Sequence, residues 1–422
     1  MMLSPPVLRS ATVAPRCNPC KGAPDQRVHQ MEQVGEYLLL CVAGAEKTVE
    51  DAVCRALVGQ EGNVVECLQY LSPDTGEPRP GLAGSGKLLL RTSASLESLN
   101  RVRVVERVFW FLGQSKNVPE TDGGWSRGSL VRAVNRVLRC TSGRWQRGLD
   151  WLGLSLEQHG SFRVTVLRDG NHPFRSPDAA AWIGSEVAAL LGDHWVVSLK
   201  RGEFSLEVVT FLDNEDLVLG FNPNPNVNWI HEALRLPLSS PSTRGFSLRQ
   251  STGAVLVELA SVQPGEIVVD NMCGRGTIAI EGALAHSSAV FFGGDIEEDV
   301  LVNEFSPAAR HPILINGGAK IEVAQWDTER LPLRDASVDC FIVDLPFGVR
   351  CGNWKEARRL LRATLSEMHR TLRGGKRALV LTVSRKHFKQ ELDSKSWALY
   401  HCQPLNVGGM SVFLFHLVKL SE

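Results

Sequence analysis

The chain is expected to end in an α/β domain built on a mostly parallel sheet, with smaller α+β units before it, and three features predict this. From about Phe246 onward, apolar runs of strand length alternate with helical or loop segments. Acids stand at the ends of successive runs, where open α/β sheets carry their ligands. Before that point the runs follow a different order, and the Pro/Ser stretch Pro237 to Pro241 reads as a linker. At 422 residues the length also asks for more than one core, about two to three domains.

Residues 1–33 read as a disordered basic tail. Arg9, Arg16, Lys21 and Arg27 are opposed in the first thirty residues by Asp25 alone, and Pro5, Pro6, Pro15, Pro19 and Pro24 interrupt any amphipathic helix. The same composition resembles a mitochondrial presequence. The 46 Lys and Arg balance 46 Asp and Glu, so contact with nucleic acid has to come from local patches. Ten cysteines lie singly apart from Cys17-Asn18-Pro19-Cys20, which lacks a second pair at zinc-ligand spacing. They read as reduced thiols of an intracellular protein, cytoplasmic or nuclear, and no metal site is expected. No apolar run reaches membrane-spanning length and no secretory leader opens the chain.

Residues 34–120 form the first expected unit. Tyr37 to Gly44 is strand-like, and Glu46 to Val58 has helical spacing at Val49, Val53, Ala56 and Leu57. A Pro/Gly-rich loop from Ser72 to Gly86 leads to a short strand, Lys87 to Arg91. Ser95 to Leu99 looks like a helix start, and Val102 to Phe111 returns as a mixed apolar stretch. A split β-α-β unit of ferredoxin-like type fits this order.

Residues 121–235 begin with the strongest local positive charge. Between Gly123 and Leu149 stand Arg127, Arg132, Arg136, Arg139, Arg144 and Arg147 without an acid, with Trp125 and Trp145 interleaved. Leu130, Val131, Val134, Val137 and Leu138 recur at helical spacing, which places Arg132, Arg136 and Arg139 on the opposite face. Such a face suits a phosphate backbone, where each arginine displaces counterions, or simply solvent. On the first reading Arg132, Arg136, Arg139, Arg144 and Arg147 are the candidate RNA contacts. Phe162 to Leu167 then alternates as a strand, Ala179 to Leu191 is helical, and Phe204 to Leu212 with Leu217 to Gly220 reads as a hairpin.

Residues 242–422 carry the chemistry. Glu266 to Val269, Val290 to Gly293, Ile321 to Ala324, Cys340 to Val343, Ala378 to Thr382 and Val412 to Val418 are the expected strands. After the first, Asp270-Asn271-Met272-Cys273-Gly274-Arg275-Gly276-Thr277 offers an acid and two glycines that let the backbone approach a ligand. Asp295, about twenty residues on, can accept from ribose hydroxyls, and Asp327 from an adenine amino group. The fourth run ends in Asp344-Leu345-Pro346-Phe347-Gly348. Pro346 has no N–H and holds the preceding residue extended, so carbonyls can face a cleft. A planar exocyclic amine can donate to the Asp344 carboxylate and the Leu345 carbonyl while Phe347 stacks on its ring. The plain alternative is a buried strand followed by a turn.

This series, Asp270-x-Met-Cys-Gly-x-Gly-Thr, Asp295, Gln325-Trp326-Asp327 with Leu331-Pro332-Leu333-Arg334, and Asp344-Leu-Pro-Phe-Gly, resembles the motifs of THUMP-domain RNA methyltransferases. Ile280-Glu281-Gly282-Ala283 and Asn406-Val407-Gly408-Gly409 share the likeness. The resemblance implies a Rossmann-like class I methyltransferase domain that uses S-adenosylmethionine, preceded by ferredoxin-like and THUMP domains. It further implies methylation of guanosine N2, in tRNA or alternatively in a U6-type small nuclear RNA, with Asp344, Leu345, Pro346 and Phe347 at the amine. Asp270, Met272, Cys273, Gly274, Gly276, Thr277, Asp295 and Asp327 would hold the cofactor. Arg249, in Leu248-Arg249-Gln250-Ser251-Thr252, matches a segment near the cofactor entrance, and also suits pairing at a helix start. A small zinc-binding activator subunit is the implied protein partner. Three departures stand out: Asn271 where the family has proline, Arg275 inside the glycine turn, and no Ala-x-x-Asn after Asp295. They leave open a second reading, a catalytically inactive RNA-binding scaffold of the same fold.

Overall fold

The computed structural model describes residues 34–58, 63–70, 84–116, 118, 124–140, 142–200, 202–223, 248–345 and 354–421. The expected tail at 1–33, the linker Pro237 to Pro241, and Pro346, Phe347 and Gly348 lie outside the described residues.

The amino-terminal region begins as β1 (Gly35–Leu40), α1 (Glu46–Val58), β2 (Val65–Tyr70), β3 (Lys87–Thr92), α2 (Leu96–Asn100) and β4 (Arg107–Ser115). These strands lie antiparallel in the order β2-β3-β1-β4. The apolar stripe Val49, Ala52, Val53 and Leu57 turns α1 onto one sheet face. Two basic helices follow, α3 (Arg127–Cys140) and α4 (Ser142–Trp151). Next come β5 (Gly160–Arg168), α5 (Ser176–Leu191), β6 (Trp195–Val197), β7 (Leu206–Leu212) and β8 (Leu217–Asn222). β7 and β8 are buried at every position, and β8 pairs antiparallel with β4, Trp110 opposite Phe221. One eight-stranded sheet therefore runs through both amino-terminal segments, in the order β2-β3-β1-β4-β8-β7-β5-β6.

The carboxyl-terminal half opens with α6 (Gln250–Ala260), β9 (Ile267–Asp270), α7 (Thr277–Ala285) and β10 (Val290–Asp295). A helical stretch α8 over 298–309 contains a π turn at Leu301–Phe305, and α9 (Pro312–Asn316) leads to β11 (Lys320–Gln325). After β12 (Val338–Asp344) come α10 (Trp354–Thr371), β13 (Leu372–Thr382), α11 (Arg385–Glu391), β14 (Trp397–Val407) and β15 (Met410–Lys419). The strand order is β11-β10-β9-β12-β13-β15-β14, parallel except where β15 runs antiparallel to its neighbours. The chain steps outward from β9 to β10 and β11, then returns to place β12 on the other side of β9. That reversal opens a crevice at the carboxyl ends of β9 and β12, the usual ligand position in such sheets.

The two halves meet through specific contacts. Asn406 N donates to the Ala43 carbonyl at 2.9 Å, Arg55 pairs with Glu258 at 2.6 Å, and Arg249 pairs with Glu106 at 2.8 Å. These hold α1 and the loop before β4 against α6 and the β14–β15 hairpin. Among the described residues no helix is long and apolar enough to cross a membrane.

Candidate active site at the carboxyl edge of the second sheet

β9 ends in Asp270, β10 in Asp295 and β12 in Asp344, while Asp327 lies just past the end of β11. Asp270 is buried, and its Oδ1 accepts from Met272 N at 3.3 Å. Burial pushes its carboxyl well above the usual range against that hydrogen bond, and the negative charges of Asp344 and Asp295 push it further. The structure thus brings these three acids into one electrostatic neighbourhood.

The turn after Asp270 is held from several sides. Gly274 N donates to Asp295 Oδ2 at 2.8 Å, and Cys273 N donates to the Gly294 carbonyl at 3.0 Å. Asp295 Oδ1 accepts from Glu297 N at 3.1 Å, so each carboxylate oxygen keeps one lone-pair direction for a ligand. Gly274 and Gly276 both have positive φ, +49° and +76°. A Cβ on Gly276 would stand 2.1 Å from the Phe305 ring, whereas one on Gly274 would meet nothing within 4 Å among the described residues. One side of the turn is packed and the other is open, the arrangement a ligand lying along the backbone requires. Met272 is half-buried; Cys273 is buried, with its thiol pushed up by burial and by Asp270 and Asp295, so it fills space and does not act as a nucleophile. Thr277 starts α7 and donates its hydroxyl to the Leu248 carbonyl at 3.3 Å.

Asn271, the residue standing where proline was expected, is built into the site. Its Nδ2 donates to Thr328 Oγ1 at 2.6 Å, and its carbonyl accepts from Trp326 Nε1 at 3.2 Å, tying the β9 turn to the β11 loop. Its buried Oδ1 has no hydrogen-bond partner among the described residues. Asp327 is exposed, and its Oδ1 accepts from Glu329 N at 2.9 Å. The next residues also close on themselves, with Arg330 N donating to the Asp327 carbonyl at 2.9 Å.

Asp344 is half-buried at the β12 terminus, and Leu345 is buried, its N–H donating to the Leu381 carbonyl of β13 at 3.0 Å. That bond fixes the peptide following Asp344 on the sheet edge. Pro346 and Phe347, the other two expected amine contacts, fall outside the described residues. Arg249 stands at the start of α6, where its Nη1 donates to Glu106 Oε1 at 2.8 Å, and Ser251 Oγ donates to the same oxygen at 3.3 Å. Arg249 thus pairs at a helix start, with the partner supplied by the amino-terminal half.

The arginines singled out for RNA stand on α3 and α4. Arg132, Arg136, Arg139 and Arg147 are exposed, while Arg144 is half-buried and pairs with Glu36 at 2.7 Å. Arg136 and Arg144 border a cleft of about 400 Å³ whose walls include Arg91, Leu89 and Phe111. Arg144 lies over the Phe111 ring at 5.4 Å. Trp125 and Trp145 differ from the interleaved aromatics expected of an RNA surface. Both are buried, and Trp125 Nε1 donates to the Asp213 and Asn214 carbonyls, because rings this large complete the core beneath the basic face.

Several residues at the site carried no signal in the sequence. Phe305 reaches the turn after β9 only through the π turn of α8, and Glu304, beside it, pairs with Arg275 at 2.7 Å. Arg103 pairs with Glu281, which α7 buries directly behind the turn. The available hint was the pair of glycines at 276 and 293, which makes room for a large side chain between two strand ends.

Residues 241–412 match the model of the family described as RMKL-like, methyltransferase domain. The chain is 31% identical over 267 residues to the tRNA (guanine(6)-N2)-methyltransferase of Thermus thermophilus, covering 63% of this chain and 74% of that protein. It is 32% identical over 275 residues to the tRNA (guanine(6)-N(2))-methyltransferase THUMP3 of Bos taurus, covering 62% of this chain and 52% of that protein. The chain thus spans about half the length of the curated THUMP3 relatives it matches. The crystal structure of TrmN from Thermus thermophilus superposes with a TM-score of 0.62 at 23% identity, covering 91% of this chain and 99% of that one. At that identity the likeness is one of fold.

Proposed function

The chain belongs to the family of tRNA guanine-N2 methyltransferases, and on that premise we propose that it transfers a methyl group from S-adenosylmethionine to the N2 amine of a guanosine in RNA. The observation that carries this reading is the meeting of Asp270, Asp295 and Asp344 around the switch point between β9 and β12, beside a turn packed on one side and open on the other. Among the described residues the site fits the cofactor: an open glycine face, an unpartnered buried acceptor on Asn271, and acceptor capacity left on Asp295 and Asp327. Asp295 is assigned to the ribose hydroxyls and Asp327 to the adenine amine, with Asp270 and the 272–277 turn along the rest. When bound, S-adenosylmethionine supplies an electrophilic methyl group on a positively charged sulfur.

The chain's own part is to place and release the nucleophile. The Asp344 carboxylate and the Leu345 carbonyl accept the two N–H bonds of the amine, drawing its lone pair out of conjugation with the ring. Positioning of this kind accounts for most of the acceleration expected. Phe347 is assigned to the face of the base, and Asp344 takes the proton that the nitrogen loses once the new bond has formed.

We read the amino-terminal β-α-β-β-α-β unit as ferredoxin-like and residues 121–235 as a basic helix with a THUMP RNA-binding domain. Together they present the RNA, with tRNA the favoured substrate and small nuclear RNA the alternative. The small zinc-binding activator needs apolar surface, and Ile296, Val302, Ile313 and Ile315 are exposed beside β10 and β11. The activity is assigned to the cytoplasm or nucleus. Radiolabelled methyl transfer to tRNA, run with the activator present, tests the reading. Asp344→Ala abolishes transfer while the surface control Lys395→Ala retains it; equal rates for the two would refute the site, and label on small nuclear RNA alone would move the substrate.

A further inference from the structure

Arg275 is an unexpected residue in a turn that has to admit a cofactor, because a long cation between two glycines competes for the space the ligand needs. The structure sends it elsewhere. Its Nε lies 2.7 Å from Glu304 Oε2, and the two side chains are only 13% and 12% exposed. Glu304 belongs to the π turn Leu301–Phe305, in which one extra residue widens the helix. The same turn drives the buried Phe305 between two glycines, since a Cβ on Gly276 would stand 2.1 Å from its ring and one on Gly293 2.3 Å. Glu304 and Phe305 therefore reach the cofactor turn side by side, one by charge and one by shape. Both act on its packed side, and among the described residues the Gly274 side stays open.

We propose that the Arg275–Glu304 pair is a latch that pre-sets the cofactor turn in its binding conformation, so that Arg275 is a positioning residue for S-adenosylmethionine. A turn with two left-handed glycines is free to adopt many shapes, and each added tie removes states that binding would otherwise have to remove. A latch of this kind acts on cofactor affinity and leaves the chemistry at Asp344 alone. It also accounts for the compatibility of Arg275 with a working site: the cation is neutralised and withdrawn. This inference rests on the assignment of residues 270–277 to the cofactor.

The experiment is calorimetric titration of the purified full chain with S-adenosylhomocysteine, for wild type, Arg275→Ala, Glu304→Gln and the double variant, with circular dichroism and melting curves on each. The latch requires both single variants to bind about tenfold more weakly, and the double variant to be no weaker than the worse single, because removing a shared interaction twice costs little more than removing it once. KM for S-adenosylmethionine then rises while kcat holds. Folded single variants that bind as tightly as wild type would overturn the latch, as would losses that multiply in the double variant. Glu304→Gln keeps the shape of the side chain and provides a folded test if Arg275→Ala melts early. Failure of the wild type itself to bind, with the activator present, would instead sink the cofactor assignment on which the latch depends.

Discussion

Arg103 and Glu281 are 178 residues apart in sequence, yet the guanidinium of the first grips the carboxylate of the second through two hydrogen bonds, Nη2 to Oε1 at 2.5 Å and Nε to Oε2. Glu281 is fully buried in α7, the helix that begins at the glycine turn after β9, and Arg103 comes from the loop before β4. The amino-terminal half thus reaches the helix behind the turn after β9.

Removing the arginine should cost more than removing the pair. Arg103→Ala leaves the buried Glu281 carboxylate without its two-point partner, a loss of about 3–5 kcal/mol. Arg103→Met with Glu281→Leu replaces the pair by apolar side chains of similar bulk and should recover much of it. Urea unfolding of both variants checks this, and an Arg103→Ala protein with an unchanged midpoint would show that the pair is not a structural tie.

Gly276 should accept no side chain. Its φ of +76° disfavours any Cβ, and the Phe305 ring occupies the space as well. Gly276→Ala is expected to lower S-adenosylhomocysteine affinity by about tenfold or more, at a stability cost of about 1–3 kcal/mol. Gly274→Ala meets no atom of the described residues, so its stability cost is the smaller backbone part. If calorimetry shows Gly274→Ala to weaken binding while melting shows little change, the open side of the turn is the cofactor side.

The acid at the end of β9 should make stability depend on pH in an unusual direction. Asp270 has a folded-state pKa raised by burial, with Asp344 and Asp295 adding to it. Between the unfolded value near about 3.9 and the raised folded value, the native state binds the extra proton, so stability falls as pH rises through that window. Asp270→Asn should flatten the slope and raise the melting temperature at pH 7.5 by about 2–4 °C, while weakening cofactor binding. Melting curves from about pH 4.5 to pH 8 decide it; a wild-type profile rising with pH over that window, and unchanged by the substitution, would contradict the assignment.

The strand-end acids were legible because each closes a continuous apolar run, and a run ending in Asp is a local pattern. What stayed hidden depends on distance or exposure. β14 was missed because its sequence, Trp397 to Val407, mixes Tyr400, His401, Gln403 and Pro404 into an edge strand that never alternates cleanly. The pairing of β4 with β8 joins segments about a hundred residues apart, and nothing in either run specifies the other. Arg275 read as a threat to the turn since its partner is set by a π turn, whose widened register helical spacing does not encode.

The arginines of α3 and α4 should contribute unequally to RNA binding. Arg144 is half-buried, paired with Glu36, and stacked over Phe111, while Arg91 shares Glu36 at 2.9 Å and pairs with Glu66 at 3.0 Å, so two acids face two arginines. Its charge is already largely balanced, so it serves the wall of the cleft more than it serves phosphate. Arg132 and Arg139 are exposed on the outward face of α3, where a displaced counterion is a net gain. Arg132→Gln and Arg139→Gln should each reduce the slope of log Kd against log salt for tRNA by about one, with melting temperature unchanged. Arg144→Gln should change that slope by less than either and lower the melting temperature instead. A filter-binding salt series on the three variants checks the ordering, and a reversed one would put the phosphate contacts inside the cleft and not along the helix.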